Sequence, residues 1–167
     1  MKRQKNNKGF SLTELIVVIA VMGVIMVGGV ITTGLLYSAS AKEASSKLNS
    51  ALNKTRTECM TKSSASIELY EDVNDSRYYV IYEVSGNKQT PIQVGDSRVS
   101  ISYRDSKGDL THLVGNNKLT ISFNRDTGSF KSLSTTETIY CKEIYIEAGH
   151  KTFTIQCERL TGKTTVK

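Results

Sequence analysis

The stretch NKGFSLTELIVVIAVMGVIMVGGVI, Asn7 to Ile31, decides how this chain is read. Leu15 to Ile31 is 17 residues without a charged or strongly polar side chain, and Leu35 and Leu36 extend the run past Thr32, Thr33 and Gly34. As a helix rising about 1.5 Å per residue, the segment is long enough for a bilayer core of roughly 30 Å. Glu14 stands near its start. A carboxylate within a spanning helix costs about 2.5–3.5 kcal/mol on insertion scales, less near an interface, so a residue kept there calls for a partner.

Lys2, Arg3, Lys5 and Lys8 precede the run with no acid among them. Such a cluster holds the N-terminus in the cytoplasm and sends the rest outward. Taking those four charges from the net +6 leaves +2 for everything from Phe10 onward. The basic balance of the whole chain is therefore no argument for nucleic-acid binding. At 38% hydrophobic and 23% charged, the composition is that of a globular chain of one domain.

A cleaved secretory signal peptide fits the basic start, and Ala39-Ser40-Ala41 fits its small-residue cleavage pattern. Such cores run about 7–15 residues, however, and this one is longer. A plain membrane anchor is the second reading. Neither gives Glu14 a role.

Lys8-Gly9-Phe10-Ser11-Leu12-Thr13-Glu14 resembles the N-terminal signature of type IV pilins and pseudopilins. The resemblance covers about 25 residues: leader, Gly-Phe junction, Glu14 and the apolar run. It implies a leader over residues 1–9, cleavage between Gly9 and Phe10 by a prepilin peptidase, and N-methylation of Phe10. It also implies that Glu14 pairs with the N-terminal amine of a neighbouring subunit. A carboxylate and an ammonium in low dielectric attract strongly, and either alone is costly, so the pair would reward correct axial register. One departure is the lack of a proline in the apolar helix, which carries Gly23, Gly28, Gly29 and Gly34 instead. Glycines weaken a helix by about 1 kcal/mol each relative to Ala in water, and in lipid they allow close helix packing. A stretch that loosens during assembly and glycines that are merely tolerated are both open.

Past Tyr37 the pattern stays helical. Ala41, Ala44, Leu48, Ala51, Leu52, Thr55 and Cys59 recur at helical spacing among charged and polar residues, a narrow apolar stripe. Pro91 is the sole proline. One helix is expected from about Phe10 to Thr61, with 10–36 as the membrane and polymerisation half and 37–61 as its amphipathic continuation.

From Ser66 the period changes to two, predicting a β-rich head over 66–167 and an α+β fold. The expected strands are Ile67–Tyr70, Tyr78–Ser85, Val99–Tyr103, Leu110–Val114, Leu119–Asn124, Ser129–Leu133, Ile139–Ile146 and Thr152–Glu158. The stretches LTISFNRDTGSF and YIEAGHKTFTIQCERLTGK also resemble, weakly, the head of H-type pseudopilins and related minor pilins.

The last two strands read as a hairpin around Glu147-Ala148-Gly149-His150. One register sets Cys141 opposite Cys157. The other aligns Ile146 with Phe153 and Ile144 with Ile155, turns Cys157 inward toward the helix carrying Cys59, and puts Cys141 on the opposite face. Two disulfides compete, Cys59–Cys157 and Cys141–Cys157, with the apolar register favouring the first; three reduced thiols are the alternative. His112 and His150 have no Cys-x-x-Cys partner motif, so no metal site is expected, nor any cofactor or catalytic motif.

The expectation is a non-enzymatic filament subunit, a minor pilin or pseudopilin of a pilus, secretion or competence filament. Its partners would be prepilin peptidase, other pilin subunits, an inner-membrane assembly platform with its cytoplasmic ATPase, and the cytoplasmic membrane. The alternative is a head that binds DNA through Lys142, Lys151, Arg159, Lys163 and Lys167, against which stands an ordinary solvated strand face.

Overall fold

The structure, a computed structural model, describes residues 11–61 and 64–167; for residues 27–33 it describes the backbone alone. The leader, Gly9 and Phe10 lie outside the described residues. The chain divides into two units, Met1–Leu35 and Leu36–Lys167.

Helix α1 spans Leu12–Thr61, as the periodicity and the lack of an early proline predict. In the first unit the described apolar side chains are exposed. The successive residues Leu15, Ile16, Val17, Val18 and Ile19, which face all sides of a helix, are each between 46% and 62% exposed. Among the described residues no helix is long and apolar enough to cross a membrane. The apolar run of the sequence continues into residues 27–31, whose side chains are outside that description.

In the second unit the expected stripe is the buried one: Ala41, Ala44, Leu48, Ala51, Leu52, Thr55 and Cys59 are all buried, joined by Ser45. Ser45 and Thr55 turn their hydroxyls back onto the helix, to Lys42 O at 2.8 Å and Ala51 O at 2.9 Å. Burial of two polar side chains on the stripe is thereby satisfied without a partner from the sheets.

Two five-stranded antiparallel sheets form the head. The first contains β1 (Ala65–Asp72), β2 (Arg77–Val84), β3 (Asn87–Lys88), β4 (Ile92–Gly95) and β7 (Lys118–Ser122). Its order is β3-β2-β1-β7, with β4 also on β2. The second contains β5 (Ser100–Asp105), β6 (Leu110–His112), β8 (Cys141–Ala148), β9 (Lys151–Cys157) and β10 (Thr164–Val166), in the order β10-β9-β8-β5-β6. The helix stripe and the inner faces of both sheets share one apolar core.

Several expected strands are corrected. Short β3, β4 and β10 were absent from the sequence expectation, because two to four residues carry too little alternation to register. Ser129–Leu133 is not a strand; Phe130 makes a single bridge to Phe123. The segment divides its bonds, Phe130 N–H donating to Arg159 O at 3.0 Å and Lys131 N–H to Ser122 O at 2.9 Å. β8 starts at Cys141 rather than Ile139.

The β8–β9 hairpin adopts the apolar register, with Ile144 opposite Ile155 and Ile146 opposite Phe153. The placement of Cys141 on the far face is nevertheless overturned. Arg104 pairs with Glu143 but Asp105 pairs with Cys141, so Lys142 is an extra, bulged residue. A bulge breaks strict alternation. Lys142 turns to solvent and Cys141 to the core, on the same side as Ile144 and Ile146.

Candidate functional site

The site begins at the first residues of α1. Ser11 is the residue before the helix, and its carbonyl accepts the Leu15 N–H at 3.3 Å. Its side-chain Oγ accepts the Glu14 N–H at 3.3 Å, while Ser11 N–H donates to Glu14 Oε2 at 3.4 Å. This reciprocal pair is a capping box, which satisfies two backbone donors that a helix start otherwise leaves open. Sequence reasoning missed Ser11, although Ser-x-x-Glu before an apolar run is the signal for it. A negative charge in the first turn also suits the positive end of the helix dipole.

Both bonds are long and both residues are exposed. The Glu14 carboxylate is thus held at the head of the helix by one long bond, from Ser11 N–H, which a cation can replace. Behind it runs the uncovered apolar surface described above. An all-round apolar helix needs lipid or other helices to cover it.

Residues 4–30 match the family described as the prokaryotic N-terminal methylation motif. The chain carries the type IV pilin and pseudopilin signature. No curated protein and no solved structure matches the chain. The signature marks a structural, pilin-like or pseudopilin subunit rather than an enzyme. It implies processing by a prepilin peptidase, membrane anchoring and then assembly with other pilins. The helix followed by antiparallel sheets is consistent with that class.

Away from the signature, all three cysteines are free thiols and buried. Cys59 donates to Phe123 O at 3.1 Å. Cys141 points its thiol toward Glu143 O at 3.9 Å, and Cys157 is the neighbour that acts on it most strongly. Cys157, then burial, then the nearby carboxylates of Asp105 and Glu143 push the Cys141 thiol well above its ordinary range.

The five cations considered for DNA are all exposed but do not form one cluster. Lys151 opens β9 beside the Gly149-His150 turn, whereas Arg159 and Lys163 flank the turn after its other end. Seven strand residues separate those ends by roughly 20 Å. The Lys167 backbone pairs with Thr154 in mid-strand, and Lys142 is the bulged residue of β8. Glu143, Glu147 and Glu158 lie among them, and Arg159 stands over the Tyr140 ring at 5.1 Å. His112 and His150 are exposed in separate turns or strand ends, and among the described residues no group of three or more His, Cys, Asp or Glu is placed to hold a metal.

Proposed function

We propose that this chain is a minor pilin or pseudopilin that is cut between Gly9 and Phe10, N-methylated on Phe10, and polymerised through the helix beginning at Phe10. The observation that carries the reading is an exposed Glu14 carboxylate at the head of an apolar helix surface that the described residues leave uncovered. Lipid covers that surface before assembly, and the helices of neighbouring subunits cover it afterwards. Each Glu14 then accepts the N-terminal amine of a neighbour, and the cost of burying either charge alone fixes the axial register. The head from Ser66 onward is displayed outside.

Mass spectrometry of membrane-extracted protein tests the processing. The expected mature chain starts at N-methyl-Phe10. A start at Lys42 would identify an ordinary signal peptide, and an intact Met1 a simple anchor; either result ends the pilin reading.

A further inference from the structure

We infer that Cys141 and Cys157 form a disulfide site that ties β8 to β9 beneath the C-terminal strand, with Cys59 left as a thiol. The argument is geometric. The hairpin pairs Glu143 with Gln156, so the next residue of β9, Cys157, meets the bulge formed by Lys142. The bulge gives the core-facing place beside Cys157 to Cys141, and both side chains are buried in the same core. Neighbouring antiparallel strands lie about 4.7–4.9 Å apart, within the Cα range of about 4.4–6.8 Å that disulfides use. The Cys59 thiol is instead engaged with the Phe123 carbonyl, to which it donates at 3.1 Å.

The two cysteines differ in access. Cys157 is 6% exposed and Cys141 is 1% exposed. Exchange with an exogenous disulfide such as oxidised glutathione therefore starts at Cys157. Its thiolate attacks one sulfur of the oxidant and expels one thiolate. The Cys141 sulfur, losing its proton to that leaving group or to water, then attacks the Cys157 sulfur of the mixed disulfide and expels the second thiolate. Two thiols of the protein are oxidised by two electrons, and one oxidant disulfide is reduced to two thiols. β10 pairs with β9 at this position, Thr164 opposite Cys157, so the bridge fixes the strand on which the C-terminal segment rests.

The site belongs to the head's own geometry and is tested independently of filament assembly. Full-length protein in detergent is reduced, equilibrated with oxidised glutathione, alkylated and digested with trypsin without reduction. The three cysteines fall on separate peptides: Thr57–Lys62, Ser132–Lys142 and Thr152–Arg159. The expected result is joint loss of alkylation at Cys141 and Cys157, a linked peptide of Ser132–Lys142 with Thr152–Arg159, and full alkylation of Cys59. Cys59→Ser should leave the linked peptide unchanged, and Cys141→Ser should abolish it. Full alkylation of all three after oxidation, a Cys59–Cys157 link, or loss of the bridge in Cys59→Ser would each overturn the inference.

Discussion

Ser11 and Glu14 cap each other at the start of α1, at 3.4 Å in one direction and 3.3 Å in the other. The same carboxylate that the filament reading assigns to a neighbouring amine is therefore engaged within its own chain. The two roles are compatible because the bonds are long. An ammonium adds full opposite charge, whereas the Ser11 N–H offers a single bond of 3.4 Å, so in the filament reading the amine displaces it.

The two roles separate by mutation. A glutamine at position 14 can still accept the Ser11 N–H but cannot form an ion pair. Glu14→Gln is expected to insert and be processed normally, yet to fail in filament assembly. Ser11→Ala removes one arm of the cap, a loss of about 0.5–2 kcal/mol at the helix start, and is expected to assemble. Electron microscopy and immunoblots of sheared filaments give the comparison. Equal assembly defects in both variants would mean that Glu14 acts as a cap alone.

The helix stripe makes a second prediction. Leu48 and Leu52 are each 1% exposed in the core shared with the two sheets. Truncating either to Ala removes buried methyl groups and leaves a cavity, with an expected loss of about 2–5 kcal/mol. Leu160, 78% exposed, is the control, and its Ala variant should stay within about 0.5 kcal/mol of wild type. Urea unfolding of the full chain in detergent, followed by tyrosine fluorescence, reads both.

The stripe was legible because burial on a helix leaves a periodic trace over many residues. Seven positions, Ala41 to Cys59, were marked by spacing alone and all are buried. The long strands β1, β2, β8 and β9 were legible for the same reason at period two. Cys141 was not. A bulge depends on how β8 pairs with β5, and the local sequence Cys141-Lys142-Glu143 carries no sign of it. At the candidate site, Glu14 stood out because a charge beside an apolar run is costly. The cap from Ser11 was readable but was eclipsed by the larger signal around it.

A third prediction concerns the turn after β9. Gly162 has φ +64, and a Cβ there would lie 1.7 Å from the Gly128 carbonyl oxygen. That oxygen is held in place, accepting from Arg56 Nε at 3.1 Å. Gly162→Ala must therefore displace backbone, and it is expected to unfold the turn that carries Arg159 and Lys163. Gly86 provides the contrast, with φ +80 and nothing within 4 Å of a Cβ. Gly86→Ala should show the left-handed backbone cost alone, about 1–2 kcal/mol. The measured order of thermal midpoints should be wild type, Gly86→Ala, then Gly162→Ala well below. Equal losses would mean that the turn yields without cost.

The fourth prediction is a pH dependence centred on Glu68. Its carboxylate bridges two strands of the first sheet, accepting from Lys118 Nζ at 2.6 Å on β7 and Lys88 Nζ at 3.0 Å on β3. The bond from Lys118, then that from Lys88, holds the Glu68 carboxyl below the ordinary value of 4.5, against the opposing effect of burial. A folded value below the unfolded one means that the stabilisation is fully present above about pH 4.5. It is lost as pH falls through the folded value. Both lysines are more than half exposed, so the contribution is small beside a core truncation and is screened by salt. Thermal midpoints from pH 7 down to pH 3 should fall more steeply for wild type than for Glu68→Gln, with the curves converging in acid. Parallel curves across that range would show that the bridge contributes nothing to folding.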